Sequence, residues 1–105
     1  METPLTLHTT REGDTTVVHA CGEIDVVTAP QFRACLVAAA REGSAVKIDC
    51  TEVTFMDSTG VGTLLEAHGG AWVDGVRIVV SAVSPQVDKV LRLAGLAEMF
   101  GLSTA

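Results

Sequence analysis

A run of small polar residues, Asp57-Ser58-Thr59-Gly60, joins an apolar segment to a helical pattern. This order predicts that a strand ends before Asp57 and that a helix begins near Ser58, with one of these two residues as its N-cap. The first backbone N–H groups of a helix lack partners and carry partial positive charge. The Ser58 hydroxyl is therefore a candidate phosphate acceptor, because those N–H groups stabilise a phosphate. Capping and phosphate acceptance do not exclude each other.

The helix after this run carries mostly small residues on the face that we expect to point outward. This outward face consists of Thr59, Gly62, Thr63 and Glu66. A glycine in a helix interior costs about 1 kcal/mol relative to alanine. We interpret that cost as a sign that the backbone of another protein approaches the helix closely.

Enzymatic interpretations of the same run lack the residues that they need. A dinucleotide fingerprint that begins at Gly60 and Gly62 requires a third glycine, where this chain has Leu65. The residues around Ser58 do not form a nucleophile elbow. The predicted helix places His68 on its buried stripe, about two and a half turns from Ser58, so His68 cannot act as its base. We expect no enzymatic activity and no cofactor.

The chain contains three cysteines, Cys21, Cys35 and Cys50, at spacings that fit neither a metal cage nor a redox pair. We expect them to be reduced, buried thiols in a cytoplasmic protein. His19 and Cys21 are two residues apart and could bind a metal ion from one strand face. Two ligands without a second pair are weak support for a metal site, so packing in the core is the expected role.

Length and charge limit the classes of protein and partner. A chain of 105 residues with 48% hydrophobic residues suits one folded domain, which we expect to span residues 1–105. The 13 acidic residues outnumber the 7 basic ones and give a formal net charge of -6. This balance disfavours nucleic acid and membrane as partners, since both attract clustered Lys and Arg. The sequence also shows no bilayer-spanning run and no signal-peptide pattern at its start.

Short β-branched runs alternate with Ala- and Leu-rich runs, a pattern typical of an α/β domain with a mixed sheet. We predict strands over residues 5–9 and 15–21 that form a hairpin. Residues 46–50 predict a strand with alternate residues facing inward. Residues 76–80 are almost continuously apolar and predict a central strand. The residues expected to continue the apolar face after 46–50 are Val53 and Phe55.

Capping residues predict three helices. The first begins at Thr28, with Gln31 completing a capping box and Pro30 in the first turn, and it stops at Gly43. The second spans about residues 58–70, and its predicted buried stripe is Val61, Leu64, Leu65, His68 and Trp72. The third begins at Ser84-Pro85 and ends at Gly95. The residues expected to fold back on the core after it are Leu96, Met99 and Phe100.

The motif at residues 55–62, FMDSTGVG, resembles the signature of the STAS domain of bacterial anti-sigma factor antagonists. Similar segments follow the family's order over nearly the whole chain. They are 22–30 (GEIDVVTAP), 46–49, 84–85 and 93–96 with Phe100. The resemblance implies the STAS fold, in which a mixed sheet of four to five strands packs against three to four helices in a single domain.

The resemblance also implies a partner-switching function. The unphosphorylated antagonist binds an anti-sigma factor that has serine kinase activity, and the sigma factor is released. The kinase phosphorylates the serine after the motif's Asp, which is Ser58 here, and a PP2C-type phosphatase removes the phosphate. The antagonist itself performs no catalysis.

The resemblance favours the Ser58 hydroxyl over that of Thr59 as the phosphate acceptor. Asp57 is expected to orient Ser58 or to contact the kinase. Asp25 either lines the same surface or caps the helix at Thr28, and the sequence leaves both roles open. The residues expected to bind the partner are Asp25, Asp57, Ser58, Thr59, Gly60, Gly62 and Thr63.

The chain departs from the family's pattern at two places that bear on partner choice. Residues 67–72, AHGGAW, replace a segment in which basic residues are frequent, and Ala94 replaces the usual threonine before the Gly-Leu turn. An alternative function is that of a STAS subunit of a lipid or anion transporter, or of a stressosome-type scaffold. The intact Asp-Ser-Thr-Gly run and the lack of a fused segment favour the regulator.

Overall fold

The computed structural model describes residues 5–70, 72 and 75–102, whereas the predicted domain bounds, 1–105, include residues outside this description. The elements in chain order are β1 (Thr6–Glu12), β2 (Thr15–Ile24), α1 (Ala29–Ala40), β3 (Ala45–Met56), α2 (Ser58–His68), β4 (Arg77–Val83) and α3 (Pro85–Leu93). The strands lie in the order β1-β2-β3-β4. Strand β1 is antiparallel to β2, while β2, β3 and β4 are parallel, which is the predicted mixed sheet.

Alternation along the strands gives the sheet one buried face. In β3 the buried residues Val46, Ile48 and Cys50 alternate with Lys47 and Asp49, as predicted. The helices complete a single core on this face. The large side chains that are fully buried include Phe32, Ile24, Leu36, Ile48, Leu64 and Leu91. Burying one such side chain contributes about 1.5–3 kcal/mol to stability.

A bulge changes the alternation near the end of β3. Gly22 pairs with Val53 and Glu23 pairs with Phe55, so no residue of β2 is paired with Thr54 in the register, and the Thr54 hydroxyl donates to the Gly22 carbonyl oxygen at 3.3 Å. After this extra residue Met56 faces the core instead of Phe55. The prediction that Phe55 extends the apolar surface is therefore wrong, and its side chain is 47% exposed.

Strands β1 and β2 form the predicted hairpin. Glu12 pairs with Thr15, which leaves Gly13-Asp14 as a two-residue turn. Gly13 has a φ of +61°, a left-handed conformation that glycine adopts without steric cost.

Helix α1 begins after Thr28 with Ala29, and Pro30 lies in its first turn, as predicted. The predicted capping box is wrong. The Gln31 side chain does not reach back to Thr28, and its Nε2 donates to the carbonyl oxygen of Leu5, 3.2 Å away. A contact with a distant part of the chain thus replaces the local one.

The predicted stop of α1 at Gly43 is also displaced. The helix ends at Ala40. Gly43 is instead required for packing, because a Cβ atom there would lie 2.6 Å from the carbonyl oxygen of Asp14 in the hairpin turn.

Strand β4 lies at the edge of the sheet, so the prediction of a central strand over residues 76–80 is wrong. Val80 is buried, whereas Val76 and Ile78 are only partly buried and pack against the rim of the core. Phe100 lies on the same side and lines a cavity with Val76 and Ile78. Residues 76–80 are mostly apolar because they pack against the core and Phe100, and not because strands flank β4 on both sides.

Helix α3 follows its predicted capping. The Ser84 Oγ accepts a hydrogen bond from the N–H of Val87 at 3.2 Å, and Gly95 after the helix has a φ of +76°. Phe100 folds back into the core as predicted, whereas Met99 is 46% exposed. Among the described residues, no helix has the length and apolar character that crossing a bilayer requires.

Candidate functional site

The junction between β3 and α2 is fixed against the end of β2. The backbone N–H of Asp57 donates to the carbonyl oxygen of Ile24 at 3.2 Å. Ile24 and Met56 pair in register, and both side chains are buried. The first turn of α2 therefore begins at a defined place on the sheet.

Asp57 is the N-cap of α2. Its Oδ1 accepts hydrogen bonds from the N–H of Thr59 at 2.9 Å, from the N–H of Gly60 at 3.4 Å and from the Thr59 hydroxyl. The hydrogen bond from the Thr59 hydroxyl lowers the pKa of the Asp57 carboxyl. Slight burial opposes this shift, and the N–H groups of Thr59 and Gly60 add to it. The carboxylate is ionised at neutral pH and complements the positive helix end.

Ser58 is the first residue of α2 and is exposed. Its hydroxyl makes no hydrogen bond within the part of the chain that the structure describes. The expectation that the N–H groups of the first turn stabilise a phosphate on Ser58 stays a prediction, although two of these groups already have an acceptor. The N–H groups of Thr59 and Gly60 already donate to Asp57, so the Ser58 side chain lies outside the cap.

The two glycines of the motif have different surroundings. A Cβ atom at Gly60 would lie 2.6 Å from Met56 Cγ and 2.9 Å from Ile24 Cγ2. At Gly62 no atom of the described residues outside the backbone of α2 and the neighbouring residues lies within 4 Å of that position. Gly60 is thus required by packing within this chain, whereas nothing in the described structure requires glycine at Gly62.

A groove of about 460 Å³ lies between α1 and α2, and Thr59, the residue after Ser58, is the first residue of α2 in its lining. Its lining residues are Val26, Ala29, Pro30, Arg33, Ala34, Thr59, Gly62, Thr63 and Glu66. Arg33 Nε and Glu66 Oε2 form an ion pair at 3.6 Å. Thr63, which was expected to point outward, is only 5% exposed and donates its hydroxyl to the Thr59 carbonyl oxygen at 3.0 Å.

The loop between β2 and α1 forms the wall of this groove and exposes two valines. Val26 and Val27 are 68% and 70% exposed. Asp25 Oδ1 fixes the loop by accepting from the N–H groups of Val27 and Thr28, each at 3.0 Å. The Thr28 hydroxyl donates to the Glu23 carbonyl oxygen at 2.8 Å. The signal for this surface, two adjacent valines before a helix start, was present in the sequence and was missed.

The buried face of α2 differs from the predicted stripe. Val61 and Leu64 are buried as predicted, whereas Leu65 is 38% exposed. His68 is exposed, and its ring meets that of Phe100 edge-on with 5.4 Å between centroids. The residues buried in addition are Gly60, Thr63 and Ala67, whose small side chains let α2 lie close to its neighbours.

His19 and Cys21 lie on the open face of the sheet rather than in the core. The His19 ring stacks on that of His8 with 4.6 Å between centroids, and its Nδ1 hydrogen-bonds to Asp49 Oδ2 at 3.1 Å. Cys21 Sγ faces Glu52 at 3.8 Å. The expectation of core packing is wrong for this pair. Over residues 5–70, 72 and 75–102, no three His, Cys, Asp or Glu side chains are grouped to hold a metal ion.

The cysteines are free, but only one of them is buried. Cys21 is exposed, Cys35 is partly buried and Cys50 is buried. Burial, with the charge of Asp49 adding to it, raises the pKa of the Cys50 thiol to about 12. Cys50 therefore stays a protonated core residue at neutral pH.

Comparison with known proteins supports the sequence resemblance. A family model described as "Mlab, STAS domain" matches residues 7–102. A curated relative from Listeria monocytogenes, named anti-sigma-B factor antagonist, is 32% identical over 90 residues. This alignment covers 85% of this chain and 79% of the relative.

Solved structures of anti-sigma factor antagonists share the fold. One from Mycobacterium paratuberculosis has a TM-score of 0.84 at 27% identity and covers 97% of this chain and 87% of its own. Unphosphorylated SpoIIAA has a TM-score of 0.72 at 27% identity, with 96% and 89% covered. Bacillus SpoIIAA in its phosphorylated form has a TM-score of 0.68 at 25% identity, with 96% and 92% covered.

The Asp57 cap predicts an acid-dependent loss of stability. We expect Asp57→Ala to lower the free energy of unfolding by about 1 kcal/mol at neutral pH. The folded-state pKa of Asp57 is lowered, so its stabilisation is present above the ordinary value of 3.8 and is lost as the pH falls through the lowered value. Urea unfolding of both proteins at several pH values should therefore show curves that converge in acid.

Asp57→Asn is the matched control, because asparagine caps a helix without a charge. It should remain within a few tenths of a kcal/mol of the wild type at neutral pH. An acid dependence that is the same in wild type and Asp57→Ala would contradict the role of this carboxylate.

The two glycines predict opposite effects of one added methyl group. Gly60→Ala should lower the free energy of unfolding by about 1–3 kcal/mol, since the methyl group overlaps Met56 and Ile24. Gly62→Ala meets open space and should raise stability by up to about 1 kcal/mol. Urea unfolding monitored by circular dichroism measures both. Equal effects of the two substitutions would refute the assigned packing.

Proposed function

Because the chain belongs to the STAS domain family, we propose that it is an anti-sigma factor antagonist that is switched by phosphorylation of Ser58. In its unphosphorylated form it binds an anti-sigma factor with serine kinase activity and releases the sigma factor. A PP2C-type phosphatase restores this form in the cytoplasm. The observation that carries the proposal is the exposed Ser58 hydroxyl, which makes no hydrogen bond to any described residue and precedes Thr59 in the lining of an apolar groove.

The surface that we assign to the partner combines the start of α2, the α1–α2 groove and the two exposed valines. Exposed apolar side chains that are held in place beside a groove are typical of interaction sites. Arg33 and Glu66 neutralise each other at the rim, so the groove suits an uncharged, apolar side chain of the anti-sigma factor. Gly62 opens on this groove and allows a close backbone approach.

Phosphorylation of Ser58 would oppose this binding through charge. A phosphate adds about 1.5 to 2 negative charges at neutral pH. It would lie next to the ionised Asp57, whose hydrogen bonds already occupy the N–H groups of Thr59 and Gly60. These N–H groups therefore do not compensate the charge of the phosphate. The phosphate would lose its water when the partner binds, which costs binding free energy. A loss of about 3 kcal/mol would weaken binding more than a hundredfold.

The regulator is favoured over a transporter subunit or a scaffold. The relative and the solved structures described above are named as anti-sigma factor antagonists, and each matches most of both chains. SpoIIAA is known in a phosphorylated form, which supports a phosphate switch in this chain. In the proposed cycle the kinase and phosphatase perform the chemistry, and this chain binds.

Phosphorylation by an anti-sigma factor kinase from the same genome is the first test. The purified protein is incubated with the kinase and ATP, and the phosphate is located by mass spectrometry. We expect a single phosphate on Ser58, absent from Ser58→Ala. Ser81→Ala removes an exposed serine on β4 and should leave labelling unchanged. A protein that no such kinase binds or modifies would rule out the proposed function.

A charge at Ser58 should weaken binding without unfolding the domain. We expect Ser58→Asp to reduce affinity for the anti-sigma factor by more than about tenfold, or 1.4 kcal/mol, in isothermal titration calorimetry. Its thermal midpoint should stay within about 2 °C of the wild type, because the side chain is exposed. A large drop in the midpoint would instead indicate a structural role for the Ser58 hydroxyl.

A further inference from the structure

Two adjacent hydroxyls in the motif have opposite environments. The Ser58 hydroxyl is exposed and makes no hydrogen bond within the described residues. The Thr59 hydroxyl donates to Asp57 Oδ1, which also accepts from the N–H of Thr59. Both side chains lie in the first turn of α2, so exposure alone does not separate them as phosphate acceptors.

We infer that Asp57 confines phosphorylation to Ser58 by holding the Thr59 hydroxyl within the helix cap. This inference rests on the proposed function for the kinase and ATP. It assigns Asp57 a positioning role in the choice of acceptor, in addition to its role as N-cap.

The phosphoryl transfer itself shows why the two hydroxyls differ. The attacking oxygen forms a bond to the γ-phosphorus of ATP, the bond from that phosphorus to the ADP oxygen breaks, and the hydroxyl proton passes to a base on the kinase. On Ser58 this proton has no hydrogen-bond partner among the residues that the structure describes. On Thr59 it is the proton donated to Asp57, so the reaction removes a hydrogen-bond donor from the cap.

The product on Thr59 would also place a phosphate against a carboxylate. Both groups are anionic at neutral pH, and like charges in contact disfavour each other. Relief requires Asp57 to turn away, which leaves the N–H groups of Thr59 and Gly60 without their acceptor. A phosphate on Ser58 leaves all three hydrogen bonds of the cap in place.

A phosphate on Thr59 would disturb the packing of the core as well as the helix cap. Gly60 packs tightly against Ile24 and Met56, so the first turn of α2 cannot shift without disturbing the strand ends. Thr63 holds the Thr59 carbonyl oxygen from the next turn. The first turn is therefore held on both sides, and a phosphate on Thr59 should lower stability.

Phosphoamino acids installed during translation test this inference without a kinase. Protein with phosphoserine at position 58 should melt within about 2 °C of the unmodified protein. Protein with phosphothreonine at position 59 should melt about 4–8 °C lower, the shift expected for roughly 1 kcal/mol in a domain of this size. Equal midpoints for the two modified proteins would overturn the inference.

Repeating the comparison of the two phosphorylated proteins in an Asp57→Gly background isolates the effect of the Asp57 carboxylate on the melting midpoint. Glycine is well tolerated at an N-cap, so the domain should remain folded. The difference between the two phosphorylated proteins should disappear in this background. A difference that persists without Asp57 would show that the carboxylate is not its cause.

The kinase provides a second readout of acceptor choice. We expect no phosphothreonine in Ser58→Ala and clear phosphorylation of Thr59 in Ser58→Ala combined with Asp57→Gly. Phosphorylation of Thr59 in Ser58→Ala, or none in the double variant, would overturn the inference. If Ser58 of the wild-type protein is never phosphorylated, the proposed function is ruled out. The comparison of melting temperatures would still test the role of Asp57.

Discussion

The close approach of α2 to the ends of β2 and β3 is the constraint on which the site depends. Gly60 permits it, since a Cβ atom there would lie 2.6 Å from Met56 Cγ and 2.9 Å from Ile24 Cγ2. The same approach lets the N–H of Asp57 donate to Ile24, which places its carboxylate over the first turn of the helix. Ser58 lies between the cap and the packed glycine, so its outward position follows from both.

The parallel pairing of β2 and β3 brings a second loop to the same edge of the sheet. The same hydrogen-bond pattern fixes both loops. Asp25 accepts from the N–H groups two and three residues later, and Asp57 does the same. The Asp25 carboxylate does not cap α1, whose N-cap is Thr28, but it holds the loop that places Val26 in the wall of the groove. A direct contact of Asp25 with the partner stays a prediction. Two short-range hydrogen-bond patterns thus shape the surface that we assign to the partner.

Features that depend on neighbouring residues could be predicted from the sequence. The Ser84 cap and the start of α2 after Asp57 are local and were confirmed. Features that depend on distant packing could not. The bulge opposite β2 turns Phe55 outward, and the contact with Leu5 takes Gln31 away from the predicted capping box. A periodic spacing of apolar residues indicates that a helix has a buried face, but it does not indicate which neighbouring element covers that face.

The site separates the residues that build the surface from those that the surface presents. A backbone hydrogen bond to Ile24 ties Asp57 to the sheet, and packing ties Gly60 to it. Within the described residues, the Ser58 hydroxyl makes no hydrogen bond and the Cβ position of Gly62 faces open space. The proposed phosphate on Ser58 would therefore change the charge of the surface while the fold stays intact. Under the proposed function this arrangement allows repeated switching, since neither addition nor removal of the phosphate requires the domain to refold. The proposed switch needs no second conformation of the chain, because the charge change would act directly on the surface that we assign to the partner.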